Sequence, residues 1–540
     1  QGRGYRQDPV THGPLQFHLI ALTYYLFGDS DFTSRVPAAL FSVAAIAFVM
    51  VGFKRYLGNT GSLIAGILFL ISPYMTFYGR YVRNEGLIEL FGVVLLYGIL
   101  RYLEKGDKLS LFLVTGATVL HFTAKETAFI YTAELLLFAG ILFLDNIVRV
   151  SWPDRHRRNT FITLVLAALI SLVAALGFAV ANAGNPEIAA PAAEAAKPAF
   201  NLLLSAEIVA LAAALVLGIA AVVIMVMGLG WNTIRAQRSF DILVLVLSLV
   251  LPLLSAFPIK IFGFNPLDYE GTSLLISAGF VVVMFGISIA IGLWWNKRLW
   301  VFQAIFFYGI FTLFYTTFFT NGVGFFTGLV GSLGYWLEQQ GVNRGQQPWY
   351  YYAFVQLPIY EYLAVLGSAL AVYFGIKYKK FSQVAGLQPS EKEPDLPLPE
   401  LPVVFEATES ESHAENPEES GISPEIKAPA RIPVLTLLLF WSVLSLAAYS
   451  LAGEKMPWLT VHIALPLLLA AGWGLGFLFD TTPWKDLQRN RGLLSVLAAF
   501  LVIVSLSGTL GSLMGAQPPF AGKSLTQLES TATFLLSLLG

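Results

Sequence analysis

The residues best suited to chemistry are Arg80, Arg83 and Glu85, which lie between two long apolar runs at 60–78 and 86–102. Each run is long enough to cross a bilayer as a helix. Ionisable side chains at a membrane boundary are costly unless they contact lipid headgroups, pair with one another or form a site. Two guanidinium groups beside a carboxylate therefore predict a place where an anion is bound and a proton is transferred.

The composition indicates the class of protein. Of 540 residues, 56% are hydrophobic and 12% are charged, and the mean hydropathy is +0.68, which is typical of a polytopic membrane protein. A net charge of −1, without a nucleic-acid-binding pattern, gives no indication of a nucleic-acid partner. The chain has no cysteine, which excludes thiolate catalysis, disulfides and thiolate metal sites, and its six histidines form no HExxH-type pair.

Apolar segments of helix-spanning length dominate the chain, about 14 in number. Backbone groups in lipid must be paired within the segment, so these segments are predicted to be helices. They cover approximately 34–55, 60–78, 86–103, 109–124, 128–148, 160–181, 202–229, 239–257, 272–295, 299–318, 352–376, 432–451, 458–479 and 491–512. The predicted fold class is an all-α polytopic membrane protein.

Lysine and arginine in alternate short loops give the orientation, since these residues collect on the cytoplasmic side. The cation-rich loops lie near residues 54, 105, 155, 235, 297 and 489. The other loops then face outward, among them 79–85, 124–127 and 452–457. We therefore expect a multi-pass protein of the plasma membrane whose candidate site faces outside.

Five regions follow from this pattern. Residues 14–27 are expected to lie along the outer interface as a helix, because they are apolar but too short to span. Residues 377–431 are rich in Glu, Pro and Ser and are predicted to be a disordered cytoplasmic linker. The regions are 1–33 (first outer loop), 34–376 (membrane core with outer loop 319–351), 377–431 (linker), 432–512 (C-terminal helices) and 513–540 (start of an outer tail or domain).

Cations on the outer face are exceptions to the orientation rule. Those predicted there are Arg80, Arg83, Lys125, Lys260, Arg344 and Lys455. Most have a carboxylate nearby, namely Glu85, Glu126, Glu454, Asp268 or Glu270. Three interpretations are open: contact with anionic headgroups, mutual neutralisation of paired charges, or a cationic pocket for a lipid-linked phosphate.

Two further features leave alternatives open. Glu89, Glu134 and Glu361 fall within predicted spans and are either hydrogen-bonded structural groups or site groups. The aromatic side chains of the outer loop, including Trp336, either form an interfacial belt or contribute to a sugar and lipid-phosphate site.

The outer-face motifs, taken in order along the chain, resemble those of C-type (GT-C) membrane glycosyltransferases. The nearest branch is that of protein O-mannosyltransferases and lipid A aminoarabinose transferases, and residues 319–362 are most similar to flippase-associated glycosyltransferases of bacteria and archaea. The motifs are 12–17 (HGPLQF), 27–30 (FGDS), 35–40 (RVPAAL), 80–85 (RYVRNE), 123–126 (TAKE) and 453–458 (GEKMPW) with His462 and Pro466.

This resemblance implies transfer of a sugar from a polyprenyl phosphate to an acceptor hydroxyl of a protein, lipid or glycan on the outer face. Arg83, Lys125 and Lys455 would contact the phosphate, and Glu85 would act as base or orient the acceptor. The remaining substrate-binding candidates are Arg80, His12, Arg344, Glu126, Trp458 and His462. Neither a metal nor another cofactor is expected for this branch.

The sequence departs from the family pattern at one point. The family's principal catalytic Asp lies at the end of a first span, and Asp8 does not match its position. Because the chain begins at Gln1 in a polar loop, we expect a longer polypeptide with one further span upstream, about 15 in all. Residues 80–85 would then form half of a site.

Two other functions stay open at this stage. A transporter or lipid flippase would place charges near the bilayer midplane and broken helices in paired halves, whereas the charges here cluster at the outer boundary. A non-catalytic scaffold for a membrane assembly is favoured only by the missing acidic motif. Membrane lipids are expected partners in every case.

Overall fold

A computed structural model of the chain describes residues 5–8, 12–183, 202–339, 347–384, 431–453, 455–515 and 518–539. Within these ranges the chain is helical apart from short connections and two strands, β1 Gln383–Val384 and β2 Arg431–Ile432, which pair antiparallel. The predicted all-α polytopic fold is confirmed. The predictions for Arg344, Glu454 and most of the linker lie outside the described residues.

The first part of the chain forms eight helices whose ends carry recognisable caps. Ser30 and Thr33 form a capping box, in which each side chain accepts a hydrogen bond from the other's backbone NH at 3.1 and 3.0 Å. Asp107 accepts a hydrogen bond from the Ser110 NH at 2.7 Å. The helices are α1 Leu15–Phe27, α2 Asp31–Gly52, α3 Lys54–Ile71, α4 Pro73–Gly79, α5 Glu85–Lys105, α6 Lys108–Ala124, α7 Ala128–Arg149 and α8 Arg155–Ala183.

The middle part contains the longest helix, of 45 residues, in which Asn296 is non-helical (φ −157°, ψ 92°). This break lies between the two spans predicted at 272–295 and 299–318. The elements are α9 Leu202–Leu229, α10 Trp231–Arg235, α11 Arg238–Val250, a 3₁₀ turn Leu251–Leu254, α12 Ala256–Ile261, α13 Gly271–Tyr315, α14 Val323–Phe326, a π turn Thr327–Gly331 and α15 Ser332–Gln339.

The last part completes the first compact unit, Gln1–Gly476, and forms a second one, Phe477–Gly540. Within the second unit α21 packs against α22. The elements are a π turn Tyr352–Gln356, α16 Leu357–Tyr360, α17 Tyr362–Tyr378, α18 Val434–Leu451, a 3₁₀ turn Pro457–Leu459, α19 Thr460–Thr481, α20 Trp484–Arg489, α21 Gly492–Met514 and α22 Leu525–Leu539.

Among the described residues, nine helices are long and apolar enough to cross a membrane, or up to 11 if two bent pairs each count as one span. The predicted count of about 14 spans treats α13 as two spans separated at its break. It also includes α6 and α11, which are 17 and 13 residues long. The exact number therefore stays a prediction. The apolar helix expected at 14–27 is present as α1.

One carboxylate joins the two bent helix pairs. The chain bends by 64° between α3 and α4 and by 104° between Tyr352–Tyr360 and α17. Glu361 occupies the second bend, and its Oε1 accepts hydrogen bonds from the Ser72 hydroxyl (2.6 Å) and the Tyr74 NH (3.2 Å) at the first. Glu361 is thus a structural group that fixes the start of α4, the helix leading to residues 80–85.

The other two carboxylates predicted within spans are also bound by serine. The Ser42 hydroxyl donates to Glu89 Oε2, and the Ser445 hydroxyl donates to Glu134 Oε1, both at 2.6 Å. Each glutamate is buried, at 0% and 1% exposure. The structural interpretation is therefore favoured for both, because a buried polar group must be hydrogen-bonded.

Helix α19 is central to the first unit, since 83% of its candidate span is buried. Small residues allow its neighbours to approach closely. A Cβ added at Gly472 would overlap Ala65 on α3, and one added at Gly474 would overlap the backbone of Gly367 and Ala371 on α17. Such small-residue contacts are the usual way that helices pack within membranes.

This packing predicts that Gly474→Val destabilises the protein. The added side chain would meet backbone atoms that cannot rotate away, at a cost of at least about 1–3 kcal/mol. The measurement is the apparent melting temperature of the detergent-solubilised chain. Gly140→Val on α7 is the matched control, because nothing lies within 4 Å of a Cβ at Gly140. Equal melting temperatures for the two variants would contradict the close contact.

Candidate active site

A three-residue ion cluster joins the loop after α4 to the turn between α6 and α7. Glu85 has 0% exposure, and each of its oxygens is bound by a cation. Lys125 Nζ donates to Oε1 at 2.5 Å, and Arg83 Nε donates to Oε2 at 3.3 Å. The Lys125 side chain is 6% exposed and that of Arg83 is 26% exposed. The cluster carries two positive charges and one negative charge, so its net charge is +1.

Helix ends explain why these charges meet. Glu85 is the first residue of α5, where the helix dipole stabilises a negative charge, and Lys125 follows the last residue of α6, where it stabilises a positive charge. Helices α5 and α6 are consecutive and pack against each other. The N-terminus of one therefore lies beside the C-terminus of the other, which brings Glu85 and Lys125 together.

Arg83 connects the cluster to the chain segment before α19. Its guanidinium carbon lies 3.8 Å from the centroid of the Trp458 ring. This is a cation–π contact, and it leaves Arg83 between a carboxylate and an aromatic face. Trp458 belongs to the 3₁₀ turn Pro457–Leu459, so a segment predicted to be on the same side of the membrane contributes to the same cluster.

A second charged pair joins the N-terminal segment to the same turn. His12 Nδ1 lies 2.6 Å from Glu126 Oε2, and the two side chains are 41% and 6% exposed. The Gly13 NH donates to the Ala124 carbonyl at 3.1 Å. A Cβ at Gly13 would overlap the Thr123 and Ala124 backbone, so glycine is required for this approach. His12 itself has φ +67°, a conformation unusual for a non-glycine residue.

A narrow cleft of about 60 Å³ lies beside these groups, and of the ion cluster only Lys125 lines it. Its polar wall contains His12, Lys125 and Glu126 from the segments described above. Its other side chains come from α7, α15, α18 and the turn before α19, and are Thr127, Ile130, Trp336, Gln339, Tyr449, Ala452, Trp458 and Leu459.

An apolar groove of about 310 Å³ adjoins the cleft. The two share Ile130 and Trp336, which line both. The groove is formed by α7, α11, the 3₁₀ turn after α11, α12 and α15, and its remaining lining residues are Phe129, Thr132, Ala133, Leu136, Leu247, Val250, Leu254, Phe257 and Leu333. A polar cleft therefore opens beside an almost wholly apolar groove.

The predicted charge pairs are confirmed in one case and wrong in two. Arg83 contacts Glu85 as expected. Lys125 binds Glu85 rather than its neighbour Glu126, whose carboxylate is paired with His12 instead. Lys260 forms no ion pair with the acidic residues of its loop in the described part of the chain, and donates instead to the Leu337 carbonyl at 3.4 Å.

The other residues proposed to bind phosphate or substrate differ in their position relative to the cleft. Lys455 Nζ donates to the carbonyl of Ala452, a cleft residue, at 2.9 Å, and has no contact with Glu85 among the described contacts. Lys455 thus lies at the edge of the site rather than in the ion cluster. Arg80 is exposed and forms no ion pair in the ranges that the structure describes. Arg344 lies outside the described residues.

His462 lies in the protein interior behind the cleft. It has 0% exposure, its Nδ1 is 3.3 Å from the Tyr131 hydroxyl, and its ring stacks on Tyr449 with centroids 5.2 Å apart. Tyr449 is the member of this group that lines the cleft. The arrangement supports a positioning role for His462 and gives no support for direct substrate contact.

Sequence reasoning missed the apolar groove and the pairing of His12 with Glu126. The groove combines helices from distant parts of the chain, and only Trp336 carried a local signal, as one of the aromatic residues of the outer loop. Among the described residues, no group of three His, Asp or Glu side chains could hold a metal ion. The expectation of a metal-independent site remains a prediction.

Comparison with known proteins gives one match. A family model described as dolichyl-phosphate-mannose-protein mannosyltransferase matches residues 11–178. The matched region includes His12, Arg83, Glu85, Lys125 and Glu126, but not the segment around Lys455. No curated protein and no solved structure matches the chain. The match supports the resemblance to GT-C membrane glycosyltransferases and a glycosyltransferase activity.

The buried ion cluster predicts a strong dependence of stability on Lys125. Lys125→Met leaves Glu85 with only the partly exposed Arg83, and loss of one partner of a buried pair costs about 3–5 kcal/mol. The double variant Glu85→Gln/Lys125→Met removes both charges and should recover much of the loss. The measurement is the apparent melting temperature in detergent, with Arg80→Met as the control cation. A double variant no more stable than Lys125→Met would argue against direct pairing.

Proposed function

We propose that this GT-C-type membrane glycosyltransferase, matched to the mannosyltransferase family over residues 11–178, transfers a sugar from a polyprenyl phosphate to an acceptor hydroxyl on the outer face. The observation that carries the proposal is a polar cleft, bordered by the ion cluster through Lys125, beside an apolar groove. The donor has the same two parts, a charged phosphate and a long apolar chain. The family match favours this reaction over the transporter and scaffold alternatives.

The charge of the ion cluster suits the donor phosphate. Arg83, Lys125 and Glu85 together carry +1, and a polyprenyl-phosphate sugar is a phosphodiester with a charge of −1. When the sugar leaves, the phosphate becomes a monoester and gains negative charge. Cations held in place beforehand stabilise that charge in the transition state without reorganisation. We assign Arg83 and Lys125 to the phosphate, with Lys455 as a further cation at the edge of the cleft.

Glu85 is proposed to orient these cations. Its two oxygens both accept hydrogen bonds from cations, at 2.5 and 3.3 Å, and such a carboxylate holds a proton weakly. It is therefore a poor base in this arrangement, although the sequence offered that role as one of two. Turnover that is unchanged in Glu85→Gln would remove this residue from the mechanism altogether.

Topology supports the outer face as the side of the reaction. The segments that meet at the cleft include 79–85, 124–127 and 452–457, all of which the positive-inside rule assigns to the same, outward side. The acceptor is a hydroxyl group of a protein or glycan in this proposal. The sugar is of the mannose kind, as in the matched family description.

The first test of the proposal concerns Arg83. In Arg83→Gln the cluster loses one cation next to the donor phosphate, and we expect kcat/KM to fall about 100-fold. The assay follows release of polyprenyl phosphate from polyprenyl-phosphate mannose by the full chain in liposomes. Lys260→Gln is the matched control, since the Lys260 ammonium group on α12 binds the Leu337 carbonyl on α15, outside the ion cluster. A rate for Arg83→Gln equal to that of the control would refute the phosphate assignment.

The second test concerns the apolar groove. Ala133→Trp places a large side chain in the groove lining, so we expect the KM for a long-chain donor to rise about tenfold, which corresponds to about 1.4 kcal/mol, or the burial of roughly two CH₂ groups. Turnover of a short-chain, water-soluble donor should stay near the wild-type value. Ile141→Trp is the control on an exposed face of the same helix. Equal effects on both donors would show that the groove does not hold the chain.

A further inference from the structure

The function proposed above assigns no role to an aromatic pocket of about 380 Å³ that lies along α4. The pocket is lined by Pro73, Tyr74, Phe77, Tyr78, Tyr360 and Pro457. We propose that it binds a pyranose ring and is the saccharide subsite of the transferase. The inference rests on the proposed function, because that reaction brings sugar-bearing substrates to this side of the protein.

The cleft beside the ion cluster is too small for a sugar ring. It has a volume of about 60 Å³, which is room for only a few water molecules. The adjoining groove is larger, at about 310 Å³, but its lining is almost wholly apolar and would leave sugar hydroxyls without hydrogen-bond partners. The sugar of a substrate therefore needs another cavity, and the aromatic pocket is large enough to hold it.

The lining of the aromatic pocket suits both kinds of surface on a pyranose. The faces of the ring carry C–H bonds, which pack on aromatic rings, whereas its edge carries hydroxyl groups that need hydrogen bonds. Tyrosine offers an aromatic body and a polar tip, and three of the six lining residues are tyrosines. Among the described residues, the lining of the groove for the donor chain contains no tyrosine.

The rings form a shared concave surface, which separate side chains of an interfacial belt would not do. Tyr74 and Tyr78 stack with their centroids 5.9 Å apart and an interplanar angle of 11°. Tyr360 meets Tyr74 edge to face at 5.5 Å. Tyr74 and Tyr78 are buried, whereas Phe77 and Tyr360 are 50% and 46% exposed. The first two rings thus form the floor of the pocket, and the other two form its accessible rim.

The two helix bends hold the walls of the aromatic pocket together. Helix α4 follows the first bend, and Tyr360 directly precedes Glu361 at the second. Glu361 Oε1 accepts hydrogen bonds from the Ser72 hydroxyl at 2.6 Å and from the Tyr74 NH at 3.2 Å. One buried carboxylate therefore fixes both walls relative to each other. The pocket is formed before a ligand arrives, which lowers the entropic cost of binding.

The aromatic pocket is a neighbour of the proposed phosphate ligands. Pro457 lines the pocket, and the next residue, Trp458, lines the cleft. The guanidinium carbon of Arg83 lies 3.8 Å from the centroid of the Trp458 ring. The loop that carries Arg83 also begins at the end of α4, whose Tyr78 is a lining residue. A sugar in the pocket would therefore lie next to a phosphate bound by Arg83.

Two substrates of the proposed reaction can present a pyranose ring at this position. One is the donor, whose mannose is bonded directly to the phosphate, and the other is a glycan acceptor. A peptide acceptor has no such ring. Because the binding chemistry is the same for both sources, the test has one part that measures saccharide binding and another that identifies the substrate.

The first part measures binding of methyl α-mannopyranoside to the full chain in phosphatidylcholine liposomes, by saturation-transfer difference NMR of the ring C–H protons. We expect Tyr360→Ala and Phe77→Ala each to weaken binding about tenfold, or about 1.4 kcal/mol, because each removes one aromatic contact. Tyr360→Phe keeps the ring and should retain most of the binding. Tyr362→Ala is the matched control, since Tyr362 is 52% exposed and does not line the pocket.

This binding experiment does not depend on catalysis. Absence of mannoside binding by the wild type would overturn the inference, and so would equal losses in Tyr360→Ala and Tyr362→Ala. A chain that releases no polyprenyl phosphate but binds mannoside in a Tyr360-dependent way would refute the proposed function and support the saccharide site.

The second part measures transfer from polyprenyl-phosphate mannose to mannobiose or to a threonine-containing peptide. If the donor's mannose occupies the pocket, Tyr360→Ala should raise the KM for the donor about tenfold with either acceptor. If an acceptor sugar occupies it, only the KM for mannobiose should rise. Unchanged KM values for donor and mannobiose would overturn the inference. A rise confined to long-chain donors would also overturn it, because the pocket would then hold a prenyl chain.

Discussion

An ionised carboxylate removed from water requires counter-charges, and Glu85 obtains them from two different loops. Its burial would be prohibitively costly without Lys125 and Arg83, so the loop after α4, the turn after α6 and the start of α19 must meet at one point. The same requirement leaves a surplus positive charge at that point. The neutralisation within this cluster is incomplete, and the surplus positive charge would suit the anionic donor proposed above.

Three other buried glutamates of the bundle are bound by hydroxyl groups instead of cations. Glu89, Glu134 and Glu361 are each bound by a serine hydroxyl at 2.6 Å, with no cation among their described hydrogen-bond partners. A hydroxyl satisfies one oxygen without adding charge, which suits groups that tie helices together. These three serine-bound carboxylates therefore differ from Glu85, which is bound by two cations.

Much of the fold could be predicted from the sequence because local pattern determines it. The helices arise from apolar runs of spanning length, and the break in α13 was anticipated where Lys297 and Arg298 interrupt such a run. The contact of Arg83 with Glu85 follows from their spacing of two residues. The pairing of His12 with Glu126 could not be predicted, since it depends on how a glycine segment docks on the end of α6. Proximity in sequence was also misleading for Lys125, whose partner is 40 residues away.

The shared wall of cleft and groove, formed by Ile130 and Trp336, has a kinetic consequence. If the proposed donor enters along this wall, its chain would stay in an apolar environment while its headgroup reaches the polar cleft, and it would not leave the membrane during a catalytic cycle. The relevant concentration is then the mole fraction of donor among the lipids, and encounter occurs by diffusion in two dimensions. Dilution with inert lipid would slow such an enzyme as effectively as removal of the donor itself.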